Sequence, residues 1–299
     1  MNRQFLRQLL LSSSGRFLRW SKQLHGAADK MVPQSKLFLS DCIEAEWKNV
    51  FPCFVLSTGR SGTLLLTRIL ELADNAAPLH EPRPELFRAS KRAYEEIHQQ
   101  PDLFKEVLLS AREEYLLAAA RRKQRYIETN NQISFFAPII PQLFPNAVFI
   151  HLVRHPADFV RSGMRRNWYT GEHSHDIGRI TPISGDLVSE WTSLSRVEKI
   201  AWLWNETNEF IETLVKEWPE RFLQVRAETL FASTEESKRI FDFMELNGYN
   251  RHAVDRILQK PANPQRKGNF PKYNQWTDED KAGLRRFATL AENYDYELL

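Results

Sequence analysis

The chain is poor in cysteine, with only Cys42 and Cys53 among 299 residues. Neither falls in a metal-ligand or redox spacing, and a disulfide framework needs more of them, so a reducing compartment, the cytoplasm, is expected. Long apolar runs are missing too. None approaches the ~18 residues of a membrane span, so no transmembrane segment is expected. Charge of one sign is scarce: 41 Lys and Arg against 38 Asp and Glu leave a net +3. Six Lys/Arg and one Asp lie in the first thirty residues, a net of +5 there, which leaves about −2 for the rest. Such a body is no polybasic binder, and no nucleic-acid partner is expected. Gly-Lys-Ser/Thr is absent, and so is an apolar strand that clearly ends in a magnesium-binding Asp or Glu, although Glu128 ends a weak one. Internal repeats and low-complexity linkers are absent as well.

What is present can bury one substantial core, since 42% of the residues are hydrophobic. Residues 1–48 read as a basic helical arm and 49–299 as one domain. The opening "MNRQFLRQLLLSSSGRFLRW" is amphipathic but has no continuous apolar core followed by a small-residue cleavage site. An ordinary flanking helix and a helix making peripheral membrane or partner contact both fit it. Oligomeric state is not legible.

Short β-rich runs alternate with helical stretches, the pattern of a mostly parallel sheet of about five strands covered by helices. Strands are expected at Cys53–Ser57, Ala77–His80, Tyr126–Glu128, Ala147–Val153 and Phe222–Val225. Helices are expected at Thr63–Leu72, about Asp102 to Arg122, Ala157–Arg165, Arg196–Trp218 and Glu235–Leu246. Thr170–Trp191 is rich in Gly, Ser, His and Asp with little periodicity, and so long a loop in a compact domain is expected over a site.

In "FVLSTGRSGTLLLTRIL" an apolar strand ends in a small-residue turn and at once becomes a helix. Turn amides and the first helical amides lack internal partners, and the helix dipole favours an anion there. Arg60 adds a permanently charged donor fork, and Ser61 and Thr63 add hydroxyls. A loop that grips its anion through arginine, hydroxyls and amides suits a sulfate or phosphosulfate without a metal. In "FPNAVFIHLVRHPADFVRSGMRR" a strong strand delivers Arg154 at its C-terminal end, where open α/β sheets bind ligands. Pro156 opens a helix, and Ser162 lies about two turns along it, so Arg154 and Ser162 can converge on a second anion; a structural ion pair at the sheet edge is the other reading of Arg154.

Those residues resemble the sulfotransferases that use 3′-phosphoadenosine 5′-phosphosulfate, a P-loop NTPase-like fold. "STGRSGT" is similar to their 5′-phosphosulfate loop in its arginine version, found in carbohydrate and tyrosine-directed members, which implies donor contacts from Arg60, Ser61, Gly62, Thr63 and Leu64 and a catalytic part for Arg60. "LVRHPADFVRSG" resembles their 3′-phosphate motif, with Arg154 and Ser162 in its arginine and serine places. "RKGNFPKYNQWTDED" resembles the segment that closes over the 3′-phosphate, which implies Arg266, Lys267 and Gly268. "VRAETL" is similar to a further motif, with Ala227 where many members carry tyrosine. "YIETNN" puts Glu128 and Asn130 where relatives show lysine and proline. The resemblance implies a sulfonate transferred to a sugar, glycolipid or metabolite hydroxyl, with the phosphosulfate donor as co-substrate and no metal.

Sulfonate transfer to an alcohol needs a base. In "APLHEPRPE" the strand next to the anion loop ends at Glu81, and its Glu-Pro pair resembles the base position of carbohydrate-type members. His80 competes, because an imidazole titrates near neutrality. A strand-end ion pair of Glu81 with Arg83 or Arg88 is the structural alternative. His173-Ser174-His175-Asp176 lacks the partners a zinc site needs and reads as acceptor-facing or solvated. Trp202 and Trp204 read as core, while Trp168 and Tyr169 are placed to stack on a ring. An atypical phosphate-loop kinase and a non-catalytic nucleotide-binding module remain the alternatives.

Overall fold

The computed structural model describes residues 50–172, 174–260 and 268–298. The basic arm 1–48, Cys42, His173, Arg266 and Lys267 lie outside them. Five strands are present where the apolar runs placed them: β1 (Cys53–Leu56), β2 (Ala76–His80), β3 (Arg125–Thr129), β4 (Val148–Val153) and β5 (Phe222–Arg226). They form one sheet in the order β2-β3-β1-β4-β5. Every pairing is parallel; β1 lies with Cys53 beside Ile127 of β3 on one side and Val148 of β4 on the other.

Both faces of the sheet are covered, and β1 shows why its sequence is uniformly apolar. Phe54 and Leu56 point into one core and Cys53 and Val55 into the other, following the two-residue period of a strand. On the Cys53 side pack α1 (Thr63–Leu70) through Leu66 and Ile69, α7 (Thr234–Phe243) through Ile240 and Phe241, and α8 (Arg251–Leu258) through Val254. Burial pushes the Cys53 thiol up to about 12, so it behaves as a small apolar residue. The opposite core holds α3 (Pro101–Arg121), α4 (Pro156–Met164), α5 (Arg196–Glu217) and α9 (Asp278–Phe287). Trp204, expected as core, is fully buried there.

The longest helix is set by a capping box: Ser195 Oγ accepts from the Glu198 amide at 3.2 Å, and the Glu198 carboxylate accepts from the Ser195 amide at 2.8 Å. Two further helices are α6 (Ala227–Ala232), which directly follows β5, and α2 (Phe87–Glu96), which follows β2 after residues 81–86. A 3₁₀ segment, Asn131–Ile139, directly follows β3. All these connections leave from the C-terminal edge of the sheet. β1, between β3 and β4, therefore opens its following loop into the crevice where open α/β sheets take ligands.

Candidate active site

The loop after β1 is braced from below by the 3₁₀ segment. Ser134 Oγ donates to the Ser57 carbonyl at 3.1 Å and accepts from the Ser57 amide at 3.0 Å. Within the loop the Gly59 amide donates to Ser57 Oγ and the Ser61 hydroxyl to the Gly59 carbonyl, both at 3.1 Å. Gly59, Arg60 and Gly62 all have left-handed backbone, with φ of 79°, 57° and 94°. For Arg60 that conformation stores on the order of 1 kcal/mol, of the kind found at ligand clamps. At residue 62 the φ favours glycine, and a Cβ there would lie 2.4 Å from Phe231 Cε1, so that exposed ring would have to turn aside. Helix α1 then begins at Thr63, and its first amides face the same turn.

Three arginines close on this loop. Arg154, just past β4, donates through Nη1 to the Arg60 carbonyl at 2.6 Å. Arg60 Nε donates to Ser162 Oγ at 3.3 Å, which joins the two anion-binding stretches read from the sequence. Arg166, just past α4, is the third. Burial lowers the Arg60 guanidinium pKa and the Arg154 charge lowers it further; burial, then Arg60, Arg165 and Arg154, pushes that of Arg166 down to about 10. Arg154 Nε and Arg166 Nη1 are buried with no hydrogen-bond partner among the described residues. Mutually repelling cations with unused buried donors fit a multiply charged anion, which would satisfy the donors and cancel the repulsion. The adjacent Trp204 indole donates to the Arg154 carbonyl at 2.8 Å and fixes the strand end. Arg166 is not among the residues singled out in the sequence. Its signal there was the doublet Arg165-Arg166 at the end of α4.

A cleft of about 530 Å³ runs from this loop to the end of β2. Of the residues named from sequence, Arg60, Gly62, Thr63, Leu64, His80, Glu81 and Arg154 line it. Ser61 is buried within the loop, and Ser162 stands behind Arg60. Gly268 lies against α4's end, its carbonyl accepting from Arg165 Nε at 3.0 Å. Glu81 is half exposed, with left-handed backbone (φ 46°), and its charge is felt by Arg60 across the cleft. Among the described residues its carboxylate makes no ion pair with Arg83 or Arg88; the nearest such group is His80, with Nε2 4.0 Å from Oε1, an ion pair only when the imidazole is protonated. His80 Nδ1 lies 3.0 Å from the Thr129 carbonyl, which can only accept, so Nδ1 carries a proton and Nε2 is the nitrogen turned to Glu81. Thr129 Oγ1 is also 3.0 Å from that nitrogen and 2.6 Å from Thr67 Oγ1, whose hydroxyl donates to the Thr63 carbonyl at 2.8 Å. A hydrogen-bond chain thus ties the end of β2 to the start of α1.

The long loop after α4 does reach the site: His175, Gly178, Arg179 and Ile180 line the cleft opposite α1. His175 stacks on Phe87 with centroids 4.3 Å apart, and Arg179 lies 3.9 Å above the Trp168 ring. Glu128, the weak candidate for a magnesium carboxylate, is committed elsewhere. Arg112 grips it with two hydrogen bonds of 2.8 and 2.9 Å, Tyr126 donates at 2.7 Å and Asn130 at 3.0 Å. In "VRAETL", Ala227 is buried and Glu228 accepts from the His155 amide at 3.0 Å, so that stretch anchors the start of α4.

The sequence model of the sulfotransferase family matches residues 52–250, which span the anion loop, the cleft carboxylate and the arginine cluster. The chain belongs to the sulfotransferase family. No curated protein matches it. Among solved structures, the sulfotransferase STF9 from Mycobacterium avium is similar, at 13% identity over 86% of this chain and 80% of that one, with a TM-score of 0.51. The sulfotransferase domain of the Synechococcus PCC 7002 olefin synthase is 19% identical over 84% of this chain and 97% of that domain, with a TM-score of 0.49. The likeness to STF9 bears on the fold, a parallel P-loop-like sheet flanked by helices, while sulfonyl transfer is the chemistry of the family.

Proposed function

We propose that this sulfotransferase moves the sulfonate of 3′-phosphoadenosine 5′-phosphosulfate to an acceptor hydroxyl by in-line displacement, with Glu81 as general base. The observation that carries it is the set of three converging arginines, two with unpartnered buried donors, facing one carboxylate across a shared cleft. Arg60, the loop amides, Ser61, Gly62, Thr63 and Leu64 hold the 5′-phosphosulfate. Arg154, Ser162 and Arg166, with Arg266, Lys267 and Gly268, hold the 3′-phosphate. Glu81 takes the acceptor's proton as its oxygen bonds to sulfur. The bond from sulfur to the bridging oxygen breaks, and Arg60 and the loop amides meet the charge left on the bisphosphate. The acceptor is a small molecule or carbohydrate. No residue on this route calls on a metal, and the commitment of Glu128 to Arg112 argues against the kinase alternative.

The reading is tested by thermal-shift titration with adenosine 3′,5′-bisphosphate beside ATP with Mg²⁺. Stabilisation by the bisphosphate, and much less by ATP, is expected. The opposite order would turn the assignment to a kinase.

A further inference from the structure

Resting on the sulfonate-transfer reading, one question is which hydroxyl the far half of the cleft accepts. Beyond Glu81, its walls are Phe87, Phe135, Trp168, Ile180 and Leu203. All but Phe87 are buried. They come from four separate parts of the fold: the start of α2, the 3₁₀ segment, the stretch after α4 with its long loop, and α5. On one side His175 packs against Phe87, with ring centroids 4.3 Å apart and planes tilted by 33°.

Charge decides more. The charged residues lining the cleft are Arg60, Arg154 and Arg166 of the anion loop cluster, Lys260 just past α8, and Glu81 and Arg179. Arg179 is spent within the wall: its Nε donates to Asp176 Oδ1 at 2.7 Å, and its plane lies 3.9 Å from the centre of the Trp168 ring. Asp176 is held in turn, its Oδ2 accepting from the Gly171 amide at 3.1 Å. The pair contributes no net charge, and a carboxylate, phosphate or sulfate on an acceptor whose hydroxyl lies at Glu81 meets the repulsion of that carboxylate. Asn131, Gln132 and Thr207 also line the cleft, but a sugar, with a hydroxyl on nearly every carbon, brings more than they can serve beside these ring faces and aliphatic side chains, at a cost for each left unpaired. At the rim, between the lining residues His175 and Gly178, Ile177 is 54% exposed, and Ile183 farther along the loop is 53% exposed. The apolar character therefore continues outward from the reacting end.

We infer that the acceptor is a neutral alcohol or phenol carried on an apolar body, seated between Phe87, Phe135 and Trp168, with its hydroxyl at Glu81 and the rest of its body leaving past Ile177. Free sugars, acidic glycans and acidic peptides are the classes it disfavours.

The purified full chain is incubated with the phosphosulfate donor and, separately, 1-octanol, 2-naphthol, the anionic 6-hydroxy-2-naphthoate and methyl β-galactoside. Product is read as a mass gain of one sulfonate together with release of adenosine 3′,5′-bisphosphate. Octanol or naphthol is expected to exceed the galactoside in kcat/KM by roughly 10²-fold, the scale of burying several methylenes, and naphthol to exceed its carboxylate analogue. Phe87→Ala should raise KM for the preferred alcohol about tenfold, Phe87→Tyr should restore it, and thermal stabilisation by the bisphosphate should be unchanged in both. Preference for the galactoside or the anionic naphthol overturns the assignment, as does Phe87→Ala acting equally on all acceptors. Bisphosphate binding with no transfer to either apolar alcohol also overturns the acceptor class while leaving the donor site standing. Absence of bisphosphate binding overturns the donor reading beneath it.

Discussion

Arg154 Nη1 donates to the main-chain carbonyl of Arg60 at 2.6 Å, so the arginine that ends β4 shapes the turn that follows β1 as well as facing the cleft. The unmodified protein should bind adenosine 3′,5′-bisphosphate much more tightly than AMP. Arg154→Ala removes a charge and loosens the loop, and should erase most of that preference, raising the bisphosphate Kd about 10²-fold or more, since each hydrogen bond to a charged group is worth about 1.5–3 kcal/mol. Calorimetric titration of both nucleotides checks it; an intact preference in the variant would remove Arg154 from the 3′-phosphate site.

Gly62→Ala should weaken bisphosphate binding at least about tenfold while far-UV circular dichroism stays unchanged. The new methyl meets Phe231 at 2.4 Å on backbone with φ of 94°. Adding Phe231→Ala relieves the collision but leaves the left-handed strain, on the order of 1 kcal/mol, so affinity should return only in part. Full affinity in the single variant would show that the loop does not need its present path.

Glu81→Gln keeps shape and removes basicity. With the acceptor that proves active, turnover should fall by roughly 10²–10⁴ while bisphosphate affinity hardly changes. His80→Asn is the matched control, because the Nδ1 proton of His80 is held by the Thr129 carbonyl and its Nε2 faces Glu81. Loss of turnover in His80→Asn with near-normal Glu81→Gln would move the base to His80.

Much of this site was legible because its parts sit at strand ends. The five apolar runs announced the strands; Glu81 and Arg154 directly follow two of them, and Arg60 comes in the turn after a third. Other parts were hidden for physical reasons. Helix α2 carries few apolar residues and buries little beyond Ser90 and Ala93, so its periodicity is carried by polar residues. Helix α9, capped by Thr277 with three acidic residues in its first turn, is likewise a surface helix with two buried positions. Arg166 carried no local signal beyond the doublet, because its exposure is intermediate like that of Arg165 beside it; its place in the cluster comes from Arg60 and Arg154 on other elements. The pairing of Arg112 with Glu128 is equally non-local, and without it Glu128 reads as a metal carboxylate.

That pair gives a stability prediction. Both side chains are fully buried, so Arg112→Leu leaves the carboxylate without its counterion and should cost about 3–5 kcal/mol in urea unfolding. A loss below about 1 kcal/mol would mean that Glu128 is neutralised by other means.

His151 on β4 sets an acid limit. Asn208 uses its amide nitrogen on the Trp204 carbonyl, so its oxygen accepts from His151 Nε2 at 3.0 Å, and Nδ1 is left facing Glu212 at 3.7 Å. Burial outweighs both partners and lowers the imidazole pKa from 6.5. The unfolded chain then takes up a proton below about pH 6.5 that the folded one refuses, so stability is full above that pH and falls as pH drops through it. His151→Gln should flatten the fall between pH 7 and 5 in denaturant titrations; an unchanged slope would place the effect elsewhere.

The sheet order has a consequence for how such a chain can diversify. Arg60 and Arg154 leave from adjacent strands at the centre, whereas Glu81 and the start of α2 leave from the edge strand β2, with β3 between. An edge strand has one neighbour and sheds its following segment into open space. On the proposed reading, replacements of exposed residues in 82–100 and 170–191 would recut the acceptor side while leaving the pairings of β1 with β3 and β4 in place. On that same reading, the fold separates the half that would hold the donor, built on central strands, from a half at the sheet edge free to vary with the acceptor.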